Sequence, residues 1–153
     1  MYIRKATQRD LGAIISLCQE TILKVNIKDY SAEQVKIWSE STGDEQKMAN
    51  RIGKQFFFVA EGDNELIGVA SIDMKGYIDL MYTACHHQGE SVATQLLEKL
   101  IGIAKKLALK SVTADVSLTA KGFFEKNEFK ILQEQEVKLN GMTYRNLKME
   151  KLI

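Results

Sequence analysis

Gln88-Gly89-Glu90-Ser91-Val92-Ala93 is the stretch of this chain whose residue types and spacing suit chemistry, and that chemistry is anion binding. An extended segment, Tyr77 to Thr83, precedes it. An amphipathic helix follows, with Val92, Leu96, Leu97, Leu100, Ile101, Ala104 and Leu107 at helical spacing. A strand, a glycine-bearing polar loop and a helix start together present free N–H groups at the positive end of a macrodipole. A phosphate-bearing cofactor is the natural ligand. The loop lacks the Gly-Lys-Ser/Thr of a P-loop, and its glycines do not match a dinucleotide fingerprint. A plain strand-to-helix turn is the alternative reading.

The elements that must hold this loop follow from hydrophobic period and turn chemistry. Tyr2 to Thr7 reads as a strand, and Asp10 as the cap of a helix to Val25. Ser31 and Gln34 suggest a capping box for a second helix through Trp38, and a third runs from Glu45 to Lys54. Phe56–Glu61 and Leu66–Asp73 form a hairpin across Gly62–Glu65, and Gly76 turns the chain into Tyr77–Thr83. Ser111–Val116 is a strand after the long helix, and Thr119–Lys126 a short helix. Asn140-Gly141 marks a final hairpin between Phe129–Leu139 and Tyr144–Met149. The expected order is βααα-βββ-α-β-α-ββ. That is one mixed α/β (α+β) domain spanning residues 1–153, with helices packed on a sheet of about seven strands.

Composition excludes several classes. The chain has 153 residues, 45% hydrophobic and 27% charged, as expected of a soluble globular domain with one good core. With a net charge of +1, nothing argues for nucleic acid or an anionic membrane as partner, and neither is expected. No apolar run approaches a membrane span, and the N-terminus lacks a signal-peptide core, so a cytoplasmic location is expected. Cys18 lies on the apolar face of the first helix and reads as a core residue. Cys85-His86-His87 places adjacent side chains in a loop, which makes a poor metal cage, and no metal is expected.

Several segments, in order, resemble the GNAT N-acetyltransferases. Gln88 to Ala93 is similar to that family's pyrophosphate loop, Gln/Arg-x-x-Gly-x-Gly/Ala, with Ser91 where glycine is usual and Glu90 where a basic residue is common. Asp29 to Gln34 with Trp38 resembles the N-terminal helix of one bacterial branch, and Tyr77-Ile78-Asp79 before Met81-Tyr82-Thr83 its central strand. Ser117 to Ala120 with Phe123, Phe124, Glu125, Lys126 and Phe129 resembles its C-terminal motif, and Asn146 with Met149-Glu150-Lys151 its ending. The resemblance covers the whole chain. It implies the GNAT fold, a mixed, mostly antiparallel central sheet flanked by helices.

The resemblance also implies acetyl transfer from acetyl-CoA to a primary amine of a small molecule or peptide. Backbone amides from Gln88 through Gly89, Glu90, Ser91, Val92 and Ala93 would hold the diphosphate. Met81, Tyr82 and Thr83 would lie along the pantetheine, on a strand that splays from its neighbour, with Phe124 and Lys126 also at the cofactor. If Ser91 has positive φ, serine costs on the order of 1 kcal/mol there; if it is helical, its hydroxyl is free to donate to a phosphate. Asp115 is the first choice as general base, with Asp79 and Asp73 as alternatives. Many relatives carry a tyrosine where this chain has Phe124, so Tyr82 or Tyr144 would have to supply any general acid. Glu90 opposes the phosphates, and Glu90→Lys is expected to tighten acetyl-CoA binding at low salt. A non-catalytic acyl-CoA sensor is the alternative function. A homodimer paired through C-terminal strands is allowed by the resemblance.

Overall fold

The computed structural model describes all 153 residues. Seven strands form one sheet in the order β1-β2-β3-β4-β5-β7-β6. They are β1 (Tyr2–Lys5), β2 (Phe56–Gly62), β3 (Glu65–Ile72), β4 (Tyr77–Thr83), β5 (Ser111–Ser117), β6 (Lys130–Leu139) and β7 (Met142–Leu152). The helices are α1 (Leu11–Lys24), α2 (Ala32–Thr42), α3 (Glu45–Lys54), α4 (Val92–Lys106) and α5 (Lys121–Lys126). Only β4 and β5 run parallel, because a helical crossover, α4, joins them; every other neighbouring pair is antiparallel. This is the expected mixed, mostly antiparallel sheet.

Turn chemistry closes the hairpins. Asp63 and Asn64 both have positive φ between β2 and β3, and Asn140 and Gly141 both have positive φ between β6 and β7, as two-residue hairpin loops require. α2 begins in the expected capping box: the Gln34 amide donates to Ser31 Oγ at 3.1 Å, and the Ser31 amide donates to Gln34 Oε1 at 2.7 Å. It runs on to Thr42, beyond Trp38.

Asp10 departs from expectation. It gives α1 no side-chain cap. Its carboxylate accepts the Thr7 amide at 2.8 Å and both guanidinium nitrogens of Arg4 at 2.8 Å, while Arg4 also reaches Glu61. A bidentate pair with a guanidinium outweighs a single carboxylate-to-amide cap. α5 starts at Lys121, two residues later than Thr119, and β7 extends past Met149 to Leu152.

Each sheet face has its own core. On one face, Val92, Leu96, Leu97, Leu100 and Ala104 of α4 pack with Ile78, Val112, Ala114, Val116, Phe124 and Phe129. Full burial of each large aliphatic side chain contributes about 1.5–3 kcal/mol. On the other face, α1 and α3 bury Ile14, Cys18, Met48 and Ile52 against Phe57, Val59 and Leu80. A smaller cluster joins Ile22, Tyr30, Val35 and Tyr144 under α2. Burial pushes the Cys18 thiol up to about 12, so it behaves as the expected core residue.

Two local features shape the centre of the sheet. Ser71 pairs with Leu80 and Ile72 with Ile78, so Asp79 is the extra residue of a bulge in β4. Arg51 Nε and Gln55 Nε2 each donate to Asp79 Oδ2 at 2.9 Å, which ties the bulge to the α3 region. Beyond the bulge, β4 loses its second neighbour. It pairs with β5 only at Tyr77↔Thr113 and Ile78↔Ala114, then the strands diverge.

Candidate functional site

The parting of β4 and β5 opens a cleft of about 740 Å³. Met81, Tyr82 and Thr83 line one wall, with the β4 edge facing β5 left unpaired. Ala114, Asp115, Val116 and Ser117 line the other. The start of α4 forms one end, α5 with Phe124 and Lys126 flanks it, and Tyr30, Trp38 and Tyr144 stand at the opposite end. Residues far apart in sequence therefore meet at a single gap.

The loop before α4 is built to expose donors. Gly89 has φ 76° and Ser91 has φ 67°, ψ 11°. Of the two conformations open to Ser91, the left-handed one is present, at a cost on the order of 1 kcal/mol. Its hydroxyl makes no cap bond. The first helical bond is Gln95 N–H to the Ser91 carbonyl at 3.1 Å, and no protein group accepts from the amides of Gln88 through Thr94. These are the orphan donors of a helix start, gathered by two left-handed residues into a concave anion-binding arc. The Gln88 side chain does something else: its Nε2 donates to the Thr83 carbonyl at 2.8 Å, joined there by Thr21 Oγ1 at 2.9 Å. The loop is thereby tied to the end of β4.

Glu90 does not stand alone. Its carboxylate lies 3.1 Å from His87 Nδ1, while Glu65 lies 3.7 Å from His87 Nε2. The hydrogen bond with Glu90 holds the His87 imidazolium above the usual histidine range. Next to it, Cys85 Sγ–H donates to Glu20 Oε1 at 3.4 Å, with His86 close by. The same Glu20 oxygen already takes the Lys24 ammonium at 2.9 Å.

Close packing fixes where α4 begins. A Cβ on Gly68 of β3 would come within 2.6 Å of Val92 and 2.9 Å of Leu96. Glycine there lets the helix start sit directly on the strand.

The candidate acid–base residues differ in their surroundings. Asp115 is exposed; its Oδ2 accepts from the Tyr77 hydroxyl at 2.9 Å and its Oδ1 from Gln135 Nε2 at 2.7 Å. Asp79 lines the cleft but is committed to Arg51 and Gln55. Asp73 lies in the turn before β4, where Oδ1 accepts the amides of Lys75 and Tyr77. Burial raises the Tyr82 phenol above the usual tyrosine range, so it stays protonated. Tyr144 donates to the Gln34 carbonyl at 2.7 Å, which occupies its proton. Phe124 is packed edge-on between Phe123 and Phe129, with centroids 5.4 and 4.9 Å away. Tyr77 and Gln135 were missed at the sequence level. Alternation does place Tyr77 on the Asp115 side of β4, whereas nothing in the sequence brings Gln135 near.

Comparison with known proteins adds a common theme. Residues 26–151 match the family described as "Acetyltransferase (GNAT) domain". The chain is 26% identical over 147 residues to YafP, an uncharacterized N-acetyltransferase of Escherichia coli (strain K12), covering 96% of this chain and 93% of that one. It is similar to the crystal structure of a GCN5-related N-acetyltransferase from Rhodopseudomonas palustris, at TM-score 0.96 and 28% identity over 99% of this chain and 95% of that one. The PaiA N-acetyltransferase of Thermoplasma acidophilum, solved in complex with coenzyme A, aligns with TM-score 0.81 and 23% identity, covering 99% and 98% of the two chains.

Proposed function

Because this chain belongs to the GNAT acetyltransferase family, we propose that it moves an acetyl group from acetyl-CoA to a primary amine of a small molecule or peptide. One observation carries the reading: an arc of unpartnered amides, residues 88 to 94, lies at the mouth of the gap where β4 and β5 part. The donor set fits a diphosphate, which takes several N–H groups at once. Nearby, Thr119 Oγ1 is buried without a partner and lines the same cleft.

In this reading Gln88, Gly89, Glu90, Ser91, Val92 and Ala93 hold the diphosphate through their backbone. The unpaired edge of Met81, Tyr82 and Thr83 orients the pantetheine arm, and Phe124 and Lys126 flank it. When bound, acetyl-CoA supplies an acetyl group activated as a thioester. Asp115 takes the proton from the acceptor ammonium. An alkylamine of pKa near 10.4 needs about 4–5 kcal/mol to deprotonate at pH 7, so a carboxylate at the gap has a task. Asp115 holds only neutral partners, Tyr77 and Gln135, and keeps a free lone pair on each oxygen. Tyr82, kept neutral by burial, offers a hydroxyl to the leaving side. A cytoplasmic setting, where acetyl-CoA is made and used, accords with this role.

The second reading, an acyl-CoA sensor, draws on Phe124, which puts a phenyl ring in the core where a hydroxyl would serve an enzyme. Calorimetry with acetyl-CoA, followed by thiol release across a panel of amines, tests both. Binding with turnover supports the enzyme; binding with no turnover on any amine supports the sensor. No binding removes both.

A further inference from the structure

We infer that the acceptor amine is carried on an uncharged, apolar body, an aromatic ring above all, seated among Tyr30, Trp38, Tyr144 and Val137 with its nitrogen toward Asp115 and Asn146. The inference rests on the acetyltransferase reading above and specifies its substrate class.

The end of the cleft away from the amide arc is aromatic. Tyr30 and Trp38 meet edge-on at 5.4 Å, Trp38 and Tyr144 at 6.0 Å, and Tyr30 and Tyr144 at 6.1 Å. All three line the cleft, together with Val137 and Leu139 of β6. The tyrosine hydroxyls are used elsewhere. Tyr30 donates to the Arg145 carbonyl at 2.7 Å and accepts the Leu118 amide at 3.0 Å, and Tyr144 donates to the Gln34 carbonyl. The rings therefore offer apolar surface to a ligand and keep their polar tips in the protein.

Charge is confined to the other parts of the cleft. Its charged lining residues are Asp79, Asp115 and Lys126, with His87 near the amide arc. Asp79 is neutralised by Arg51, and Lys126 stands with α5 on the opposite sheet face. Asp115 remains, on the strand beside the aromatic end. Two residues along β5, Ser117 pairs with Asn146 of β7. Asn146 Oδ1 is buried with no hydrogen-bond partner and lines the cleft. A carboxylate and an unfilled carbonyl acceptor thus lie near each other, with aromatic rings beyond. One ammonium fits the first pair, and a ring fits the rest. A second ammonium or a carboxylate on the acceptor would be desolvated among rings; Asp29 and Arg145 near Tyr30 and Glu33 near Tyr144 stand outside the cleft lining and give it no direct partner.

The experiment compares phenethylamine, butylamine, putrescine and γ-aminobutyrate as acceptors by thiol release. It also titrates phenethylamine against the emission of Trp38, the only tryptophan, with acetyl-CoA binding measured separately by calorimetry. Phenethylamine is expected to exceed putrescine and γ-aminobutyrate in kcat/KM by more than about tenfold, as apolar pockets discriminate. It should also shift Trp38 emission saturably. Val137→Glu, which sets a carboxylate beside the rings, should lower the phenethylamine value about tenfold and raise that of putrescine. The inference is overturned if putrescine or γ-aminobutyrate outranks phenethylamine, or if Val137→Glu leaves the ranking unchanged. If no amine is acetylated, the Trp38 titration decides alone: a saturable shift supports the ring seat and its absence refutes it. Loss of acetyl-CoA binding speaks only against the acetyltransferase reading.

Discussion

The Tyr77 hydroxyl donates to Asp115 Oδ2 at 2.9 Å, across the place where β4 and β5 cease to pair. Tyr77 belongs to the last paired stretch of β4, while Asp115 follows Ala114, the last paired residue of β5 in that direction. The bond positions the carboxylate at the opening of the gap. Asp115→Asn keeps an oxygen for Tyr77 but cannot take a proton at neutral pH. It is expected to lower kcat by about 10²-fold or more while leaving acetyl-CoA affinity in place. Tyr77→Phe, which only frees the carboxylate to move, should cost about tenfold. Stopped-time thiol release together with calorimetry separates the two effects; an unchanged kcat for Asp115→Asn would remove the base.

His87 and Glu90 make the amide arc sensitive to pH. Glu90 raises the folded-state pKa of His87 above its unfolded value near 6.5. The pair's contribution to stability is thus full below that unfolded value and is lost as pH rises through the raised one. Glu90→Gln should bring His87 down toward the ordinary histidine range, read by NMR titration of its ring resonances against wild type. Glu90→Lys should tighten acetyl-CoA binding at low salt. The gain should be larger above the His87 pKa, where the native glutamate has no protonated partner, and should shrink as salt screens it. Equal affinities of wild type and Glu90→Lys across that pH range would contradict this account of the loop.

Ser91 stores strain at the start of α4. Ser91→Gly removes a left-handed Cβ worth about 1–2 kcal/mol and adds unfolded-state freedom of about 0.5–1 kcal/mol. Thermal unfolding should show equal or slightly greater stability, with acetyl-CoA binding retained. Ser91→Val, β-branched at φ 67°, should unfold earlier. A Ser91→Gly protein that melts well below wild type would mean the serine hydroxyl has a partner of its own.

Gly68→Ala tests how packing sets the site. The added methyl meets the Val92 and Leu96 side chains closer than side chains tolerate, and both are buried with little room for a new rotamer, so α4 is expected to shift at its first turn. Overpacking of this kind costs about 1–3 kcal/mol. The same shift moves the amides of Val92 and Ala93, so acetyl-CoA affinity should fall along with stability. Gly102→Ala, inside α4 with open space around its Cβ, serves as a control: it should raise stability by about 0.5–1 kcal/mol and leave acetyl-CoA affinity unchanged.

Much of this molecule was legible in its local patterns. The spacing from Val92 to Ala104 placed α4, Asn140-Gly141 placed the last hairpin, and Ser31 with Gln34 placed the start of α2. Those signals work because capping, turn geometry and amphipathic period act over a few residues. What escaped depends on partners distant in the chain. Asp10 resembles a helix cap until Arg4 folds back on it together with Glu61. Asp79 sits 28 residues from Arg51, so neither the bulge nor its ion pair has a local sign. Tyr30 and the Arg145 carbonyl that holds it are 115 residues apart, and the aromatic end of the cleft exists only after β7 has reached α2. Ser91 was readable as a departure from glycine, but its backbone angle was a choice between two wells.

The brevity of the β4–β5 pairing has a kinetic corollary. Two paired positions leave a slot open through the sheet, with α4 and α5 on one side and α1 and α2 on the other. Two molecules can enter from opposite sides and meet without either having to depart first. Direct transfer within a ternary complex needs no acylated side chain, and of the two cysteines one is entombed and the other lies outside the slot. Initial-velocity lines at fixed amine concentrations should therefore intersect; a parallel family would point instead to an acylated side chain in the cleft.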